Sequence, residues 1–180
     1  MEQPLSKSKN QLKNAFARIA AFACIGAAFC SCGSGGCLEN GSTLPLAGLY
    51  SAETQKSISV DSLEVRGIGA PDDSLLVSPG RGTSSIYMPF RADFDKIDWV
   101  FAFRTEALDY PQLYDTLSFE YTTIPYFASA DCGAMYVYHV NKVNVTHHLI
   151  DSVAVTDSLF TNVDREQIKI FYRTEQEAEY

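Results

Sequence analysis

The dominant pattern along the chain is an alternation of large apolar residues with small or polar ones, which begins near residue 44. It is clearest in residues 97–104 and in residues 117–122, where Leu117, Phe119 and Tyr121 alternate with polar side chains. A period of two places such residues on one face of a half-buried β-strand. Further runs of this character cover residues 45–50, 57–68, 74–77, 84–90, 135–145, 151–155 and 167–173.

These runs predict about eight or nine short strands and no amphipathic helix. We therefore expect an all-β fold over residues 44–173, an antiparallel β-sandwich of immunoglobulin-like architecture. A small β-barrel is the alternative, because periodicity does not distinguish an open pair of sheets from a closed one. In the run 57–68 the apolar phase slips between Val60 and Leu63, which predicts a β-bulge. The acidic residues 174–180 predict a disordered tail.

The first 31 residues have the organisation of a signal peptide. Residues 1–18 carry four basic side chains against Glu2 alone, and an apolar run follows at residues 19–29. That run is well short of the roughly 20 residues that a membrane-spanning helix needs. The sequence therefore predicts a cleaved signal and no retained span.

The residues after the apolar run resemble the lipobox of bacterial lipoproteins. In Phe29-Cys30-Ser31-Cys32 a large apolar residue stands three positions before Cys32 and a small residue directly before it. The resemblance implies cleavage after Ser31 and a diacylglycerol on the thiol of Cys32, the first of several acyl chains that together anchor durably. An ordinary secretory signal cut nearby is the alternative. The Gly-rich residues 32–43 predict a flexible tether between lipid and domain.

The positions after Cys32 indicate to which membrane a lipoprotein of this kind would be sorted. Gly33 stands where the sorting rule of enteric bacteria would place Asp for retention at the inner membrane, so the resemblance implies the outer membrane. Residues 34–36 lack the acidic cluster that resembles a surface-export tag. We therefore expect the periplasmic face, with cell-surface display as the alternative.

Composition and charge narrow the function classes. The chain has 180 residues, 46% of them hydrophobic, which suffices for one packed domain. Its 14 basic and 22 acidic side chains give a net charge of −8, which argues against binding to nucleic acid. Cys24 and Cys30 leave with the signal, so Cys37 and Cys132 are the thiols left beside the lipid site. In an oxidising compartment they predict a disulfide, with a metal or redox pair as the alternative.

Motifs of catalysis and cofactor binding are missing from the sequence, so we expect no cofactor and assign no catalytic residue. The adjacent His147 and His148 would point to opposite faces of a strand, which disfavours a metal site. The carboxylates at positions 93, 95 and 98 lack the spacing of an EF-hand, so a solvated turn is expected there. A hydrolase site assembled from separated Ser, His and Asp residues stays open, with His139 or His148 as its base.

Five triplets read Asp, then Ser or Thr, then an aliphatic residue, where random placement predicts roughly one. They resemble the O-glycosylation sequon of Bacteroidota, which implies glycans on the hydroxyls. Asp-Ser is also good turn chemistry before a strand, and this explains the pattern equally well. The candidate hydroxyls belong to Ser62, Ser74, Thr116, Ser152 and Ser158.

Taken together, several segments resemble a family of small Bacteroidota lipoproteins of unknown function. These are the tether cysteine, Ser62-Leu-Glu-Val-Arg-Gly-Ile-Gly69, Ser129-Ala-Asp-Cys132-Gly, Ile150-Asp-Ser152 and Ile168-Lys-Ile-Phe-Tyr172. The resemblance covers most of residues 37–173. It implies an all-β, lipid-anchored periplasmic domain and brings no activity or catalytic residues with it.

The anchor, the tether and the missing catalytic motifs favour a noncatalytic binding or scaffolding module of the cell envelope. Its expected partners are the membrane, through the lipid, and an envelope protein or a glycan. Exposed aromatic side chains such as Tyr126, Phe127, and Tyr136 or Tyr138 are candidates for the contact patch. A small envelope hydrolase and a lipidated pilus-type subunit are the alternatives from other classes.

Overall fold

The computed structural model describes residues 43–70, 74–129 and 133–174. Within these ranges the chain forms ten strands and a single 3-10 turn, and no helix there is long and apolar enough to cross a membrane. The strands are β1 (Leu46–Ser51), β2 (Leu63–Gly67), β3 (Leu75–Val77), β4 (Ser85–Tyr87), β5 (Lys96–Phe103), β6 (Asp115–Ser129), β7 (Gly133–Val145), β8 (Ile150–Val155), β9 (Leu159–Phe160) and β10 (Glu166–Tyr172).

The strands form two sheets, one in the order β4-β1-β10-β8 and the other in the order β3-β2-β5-β6-β7-β9. Neighbouring strands are antiparallel except for β1 and β10, which run parallel. The predicted β-sandwich is confirmed, and the two sheets do not close into a barrel.

One hydrophobic core lies between the two sheets. Leu49 of β1 and Ile170 of β10 come from the smaller sheet, and Phe101 and Phe119 of β5 and β6 from the larger one; all four are fully buried. Phe90, from the segment between β4 and β5, adds a ring that packs edge-on against Phe119 at 5.3 Å. The alternation that the sequence shows therefore corresponds to the inner faces of both sheets.

The run at residues 57–68 divides in two. Ser57 and Val60 form isolated bridges to Tyr50 and Thr83, and β2 begins only at Leu63. Between them Ser62 adopts a left-handed φ of 55°. The expectation of a β-bulge was wrong, because the chain makes a turn here and changes its strand partners.

The hairpin of β6 and β7 extends beyond the rest of its sheet. The two strands pair from Leu117 to Ser129, whereas β5 accompanies β6 only as far as Glu120. Residues 122–129 and 133–137 thus have each other as strand neighbours and no third strand beside them in the described part of the chain. We call this two-stranded segment the arm.

Candidate functional site

An open apolar groove lies where the ends of β2 and β3 meet the start of β5. Trp99 forms its floor, and Ile68, Leu75 and Phe94 form its walls. The volume is about 370 Å³, within the range of small-ligand sites and large enough for one or two side chains of a partner. We call it the Trp99 groove. Ala70 and Ser74 also line it, and residues 71–73 lie outside the described residues.

The groove depends on the absence of a side chain at Gly67. Gly67 pairs directly with Trp99 across β2 and β5. A Cβ atom at this position would lie 3.2 Å from the indole ring, closer than most real contacts. Two residues later Gly69, with a φ of 74°, turns the chain away from the sheet. These two glycines leave room for the ring of Trp99 at the base of the groove, where the residue is only 5% exposed.

The rim of the groove carries paired charges. The guanidinium of Arg91 lies 4.1 Å from the ring centre of Phe94 and 2.9 Å from a carboxylate oxygen of Asp93. This ion pair lowers the pKa of Asp93. Lys96 lies 3.1 Å from Asp98, on the other side of the opening. The rim is therefore polar with little net charge, around a floor and walls that are apolar.

Two buried polar atoms in the lining have no hydrogen-bond partner among the described residues. They are the indole Nε1 of Trp99 and one carboxylate oxygen of Asp98. One is a donor and the other an acceptor, and burying either without a partner costs free energy.

The predicted acidic cluster does not come together as a metal site. Asp93 and Asp98 face different cations, Arg91 and Lys96, and Asp95 uses its backbone carbonyl to accept the N–H of Tyr121 at 2.8 Å. Within the described ranges there is no group of three or more His, Cys, Asp or Glu side chains that could hold a metal ion.

The histidines considered for a hydrolase lie apart. His139 contacts Asn141 in β7, and His147 contacts the backbone carbonyl of Asp151 at 2.8 Å. His148 does lie 3.3 Å from the buried carboxylate of Asp115. That carboxylate, however, already accepts four other hydrogen bonds, three from backbone N–H groups and one from a hydroxyl.

Asp115 holds the turn between β7 and β8. Its two oxygens accept the backbone N–H groups of His148, Leu149 and Ile150 at 2.7–2.8 Å and the hydroxyl of Thr146 at 2.9 Å. The side chain is fully buried. Its arrangement is that of a structural clamp, since every donor is a local backbone or hydroxyl group.

A second polar cluster surrounds Arg104, directly after β5. Its guanidinium binds both carboxylate oxygens of Glu64 at 2.7 and 2.9 Å and also contacts Asp109 and Tyr114. The Arg104 hydrogen bonds lower the pKa of Glu64, and the Tyr114 hydroxyl followed by Arg104 lowers the pKa of Asp109. This cluster joins β2 to the loop before β6.

The described aspartates of the five triplets differ in their partners. Asp157 accepts the N–H of Leu159, two residues on, at 2.9 Å, which is the turn contact that Asp-Ser favours. Asp61 accepts the N–H of Gly82, from a distant loop, at 2.7 Å. Asp151 lies 3.3 Å from Arg173, and Asp115 is the clamp described above. Local turn chemistry is thus seen in one of the described triplets, and Asp73 lies outside the described residues.

The candidate hydroxyls of these triplets differ in exposure. Ser74, Ser152 and Ser158 are exposed, whereas Ser62 and Thr116 are half-buried. A glycan on the three exposed hydroxyls would meet no steric barrier from the fold.

The predicted aromatic patch is present only in part. Phe127 and Tyr136 are exposed on the arm, 71% and 46% respectively. Tyr138 is buried and donates its hydroxyl to the carbonyl of Phe90, so its assignment to the patch was wrong. Tyr126 is half-buried, with its hydroxyl 3.5 Å from the sulfur of Met135.

Other predicted features lie outside the described residues. These are the signal peptide at 1–31, the lipid site Cys32, nearly all of the tether at 32–43, the pair Cys37 and Cys132, and residues 175–180. Thr174, placed in the tail by the sequence, donates its backbone N–H to Glu53 at 3.2 Å. The hydroxyl of Thr174, together with this N–H and the hydroxyl of Ser51, lowers the pKa of Glu53 to about 2.

The two sheets and the groove define a β-sandwich protein with an open apolar groove at one end of its strands. Residues 62–172 match the model of a family of unknown function, DUF6452, and the chain belongs to this family. No curated protein and no solved structure matches the chain.

Proposed function

We propose that this protein is a noncatalytic binding module, held in the bacterial cell envelope by a lipid anchor, that takes up apolar side chains of a partner protein in the Trp99 groove. The observation that carries the proposal is the groove itself. Gly67 leaves room for the indole of Trp99 at the base of the groove, while the polar clusters elsewhere are engaged in holding loops. An apolar pocket with a nearly neutral polar rim is the usual form of an interface anchor site.

A protein partner fits the groove better than a glycan does. Its walls are the aliphatic and aromatic side chains of Ile68, Leu75 and Phe94, and the cations and anions at the rim are already paired.

A photoreactive residue placed at Leu75 tests the groove in intact cells of the native host. We expect one crosslinked partner, lost when Ile68, which is 61% exposed, is changed to Asp. The matched control carries the photoreactive residue at Tyr110, an exposed position far from the groove. Equal crosslinking at both positions, or crosslinks that survive Ile68→Asp, would contradict the proposal.

The lipid anchor is supported by the lipobox-like Phe29-Cys30-Ser31-Cys32 after a charged segment and an apolar run, a pattern that we assign to a lipoprotein of Bacteroidota. Gly33 after the cysteine favours the outer membrane, and the residues that follow favour its periplasmic face. Palmitate labelling should be lost in Cys32→Ala. Equal labelling of both proteins would exclude lipid attachment at this position.

A disulfide between Cys37 and Cys132 is also proposed, and the position of Thr43 supports it. Thr43 donates its hydroxyl to the carbonyl of Tyr136 at 2.6 Å. Cys37 is six residues before Thr43 and Cys132 four before Tyr136, so extended chain reaches roughly 20 and 13 Å from this contact. The two thiols are therefore within reach of each other. Unreduced mass spectrometry should find them linked, and two free thiols would exclude the bond.

The exposed hydroxyls of Ser74, Ser152 and Ser158 are the best candidates for O-glycosylation among the five triplets. Intact mass of the protein from its native host should exceed that of protein plus lipid. A mass equal to protein plus lipid would exclude the modification.

A further inference from the structure

The arm exposes apolar side chains along most of its length. Phe127 is 71% exposed, Tyr136 46% and Ile124 39%. Ile124 and Phe127 differ by three positions, so they lie on opposite faces of β6. No third strand accompanies the arm in the described part of the chain, so its edges are unpaired there. Met135 is buried, but exposed apolar side chains occur on both faces, and such clusters mark contact surfaces.

The arm and the residues that join its strands contain few charged side chains. Residues 122–137 contain one charged side chain, Asp131, although 20% of the whole chain is charged. Uncharged aliphatic and aromatic groups with a few hydroxyls are the composition that proteins place at a membrane interface. The net charge of −8 on the chain would keep more acidic faces away from anionic headgroups.

The chain enters the domain beside the arm. Thr43 is hydrogen-bonded to the backbone of Tyr136, and β1 begins three residues later. The proposed lipid site Cys32 is therefore joined to the domain at this end. The eleven residues from Cys32 to Thr43 span at most roughly 40 Å.

We infer that the arm lies against the membrane surface, with Phe127, Ile124 and Tyr136 among the lipid headgroups. This rests on the proposed lipid anchor, because the anchor sets which end of the domain is near the bilayer. The arm adds a second apolar contact to the acyl chains and fixes the orientation of the domain. The Trp99 groove, outside the arm, would then be free for a partner.

Fluorescence quenching by brominated lipids tests this contact. The mature protein, purified from its native membrane, is reconstituted into phosphatidylcholine vesicles whose acyl chains carry bromine. Phe127→Trp reports on the arm, and Tyr110→Trp, 48% exposed at the opposite end of β6, is the matched control. Twelve residues of β6 between Asp115 and Phe127 separate the two ends by roughly 40 Å. Trp99, the single native tryptophan, gives the same background in both.

We expect the additional fluorescence of Phe127→Trp to be blue-shifted and quenched at least twofold by brominated lipid, and that of Tyr110→Trp to be unchanged. Equal quenching of the two variants, or none in either, would overturn the inference. A blue shift that depends on protein concentration and not on bromine would assign the arm to contact with a second copy, and would also overturn it.

A flotation step separates this result from a failure of the anchor. If the protein does not float with the vesicles at all, the proposed lipid anchor is wrong. The proposed orientation of the arm then loses its basis as well. If the protein floats but Phe127→Trp is not quenched, the anchor stands and the arm does not touch the bilayer.

Discussion

The two ends of the six-stranded sheet differ in their surface chemistry: one has polar side chains bound to loops, and the other has exposed apolar side chains. At the end where β6 begins, Asp115 accepts three backbone N–H groups and a hydroxyl, and Arg104 binds Glu64 and Asp109. At the other end, the arm carries Phe127 with most of its surface exposed and no charged residue among those described.

The difference shows which end is committed to the fold and which is available for contacts. The carboxylate of Asp115 and the guanidinium of Arg104 find their hydrogen-bond partners within the chain. They therefore stabilise loops and have little capacity left for a ligand. The arm contributes few contacts to the core and leaves apolar area uncovered. Substitutions at the two ends should therefore separate stability from binding.

Asp115→Ala should have the largest effect on stability. Removing the fully buried carboxylate leaves the N–H groups of His148, Leu149 and Ile150 without their partner at a turn that runs from exposed His148 to buried Ile150. We expect a loss of about 3–5 kcal/mol in the free energy of unfolding, because each buried unpaired donor costs about 1–3 kcal/mol before relaxation. Urea unfolding followed by Trp99 fluorescence measures it.

The matched control is Asp93→Ala, which removes a carboxylate from an exposed ion pair with Arg91. Its effect should stay below about 0.5 kcal/mol. A loss of less than about 1 kcal/mol in Asp115→Ala would show that the turn does not depend on the clamp.

Arg104→Met should cost less, about 1–2 kcal/mol at pH 7, because the cluster is only partly buried. The hydrogen bonds from Arg104 lower the pKa of Glu64 below its ordinary value of 4.5. Its stabilising effect is therefore present above that pH and is lost as the pH falls through the lowered pKa.

The native protein should thus lose more stability than Arg104→Met when the pH is lowered below about 4.5. Urea unfolding at a series of pH values tests this difference. Parallel pH profiles for the two proteins would contradict the assignment of the Glu64 shift to Arg104.

Phe127→Ser should have the smallest effect on folding, within about 0.5 kcal/mol, because the side chain is mostly exposed. In vesicles, however, the variant should leave the membrane several-fold faster than the native protein, since an interfacial ring is lost. Tyr110→Ser is the control and should change neither quantity. A large fall in stability for Phe127→Ser would place this ring in the fold instead of the contact surface.

The period-two pattern was sufficient to predict the sandwich because most strands have one buried face. It failed on the arm, where Thr122-Thr123-Ile124-Pro125 interrupts the alternation and exposed apolar side chains occur on both faces. Proline also argues against a strand interior, yet Pro125 pairs with Tyr136 beyond the last residue that β5 reaches. The two-residue strand β9 is too short to leave a periodic signal.

The Trp99 groove was less predictable than the fold. The sequence placed Trp99 on an inner face but gave no sign that Gly67 would lie opposite it, since their pairing depends on register between distant strands. Phe94 and Arg91 reach the same site from a loop. Among the described triplets, Asp157 makes the turn contact that the sequence indicates, whereas Asp61 binds a distant loop.

Carbene footprinting of the native protein in vesicles compares the two ends in one sample. By exposure alone, Phe127 at 71% should be labelled more than Tyr110 at 48%. If the arm lies on the bilayer, the order reverses, and Phe127 is labelled less than Tyr110 because lipid covers it. Stronger labelling of Phe127 than of Tyr110, as the exposures of the isolated protein predict, would contradict contact between the arm and the bilayer.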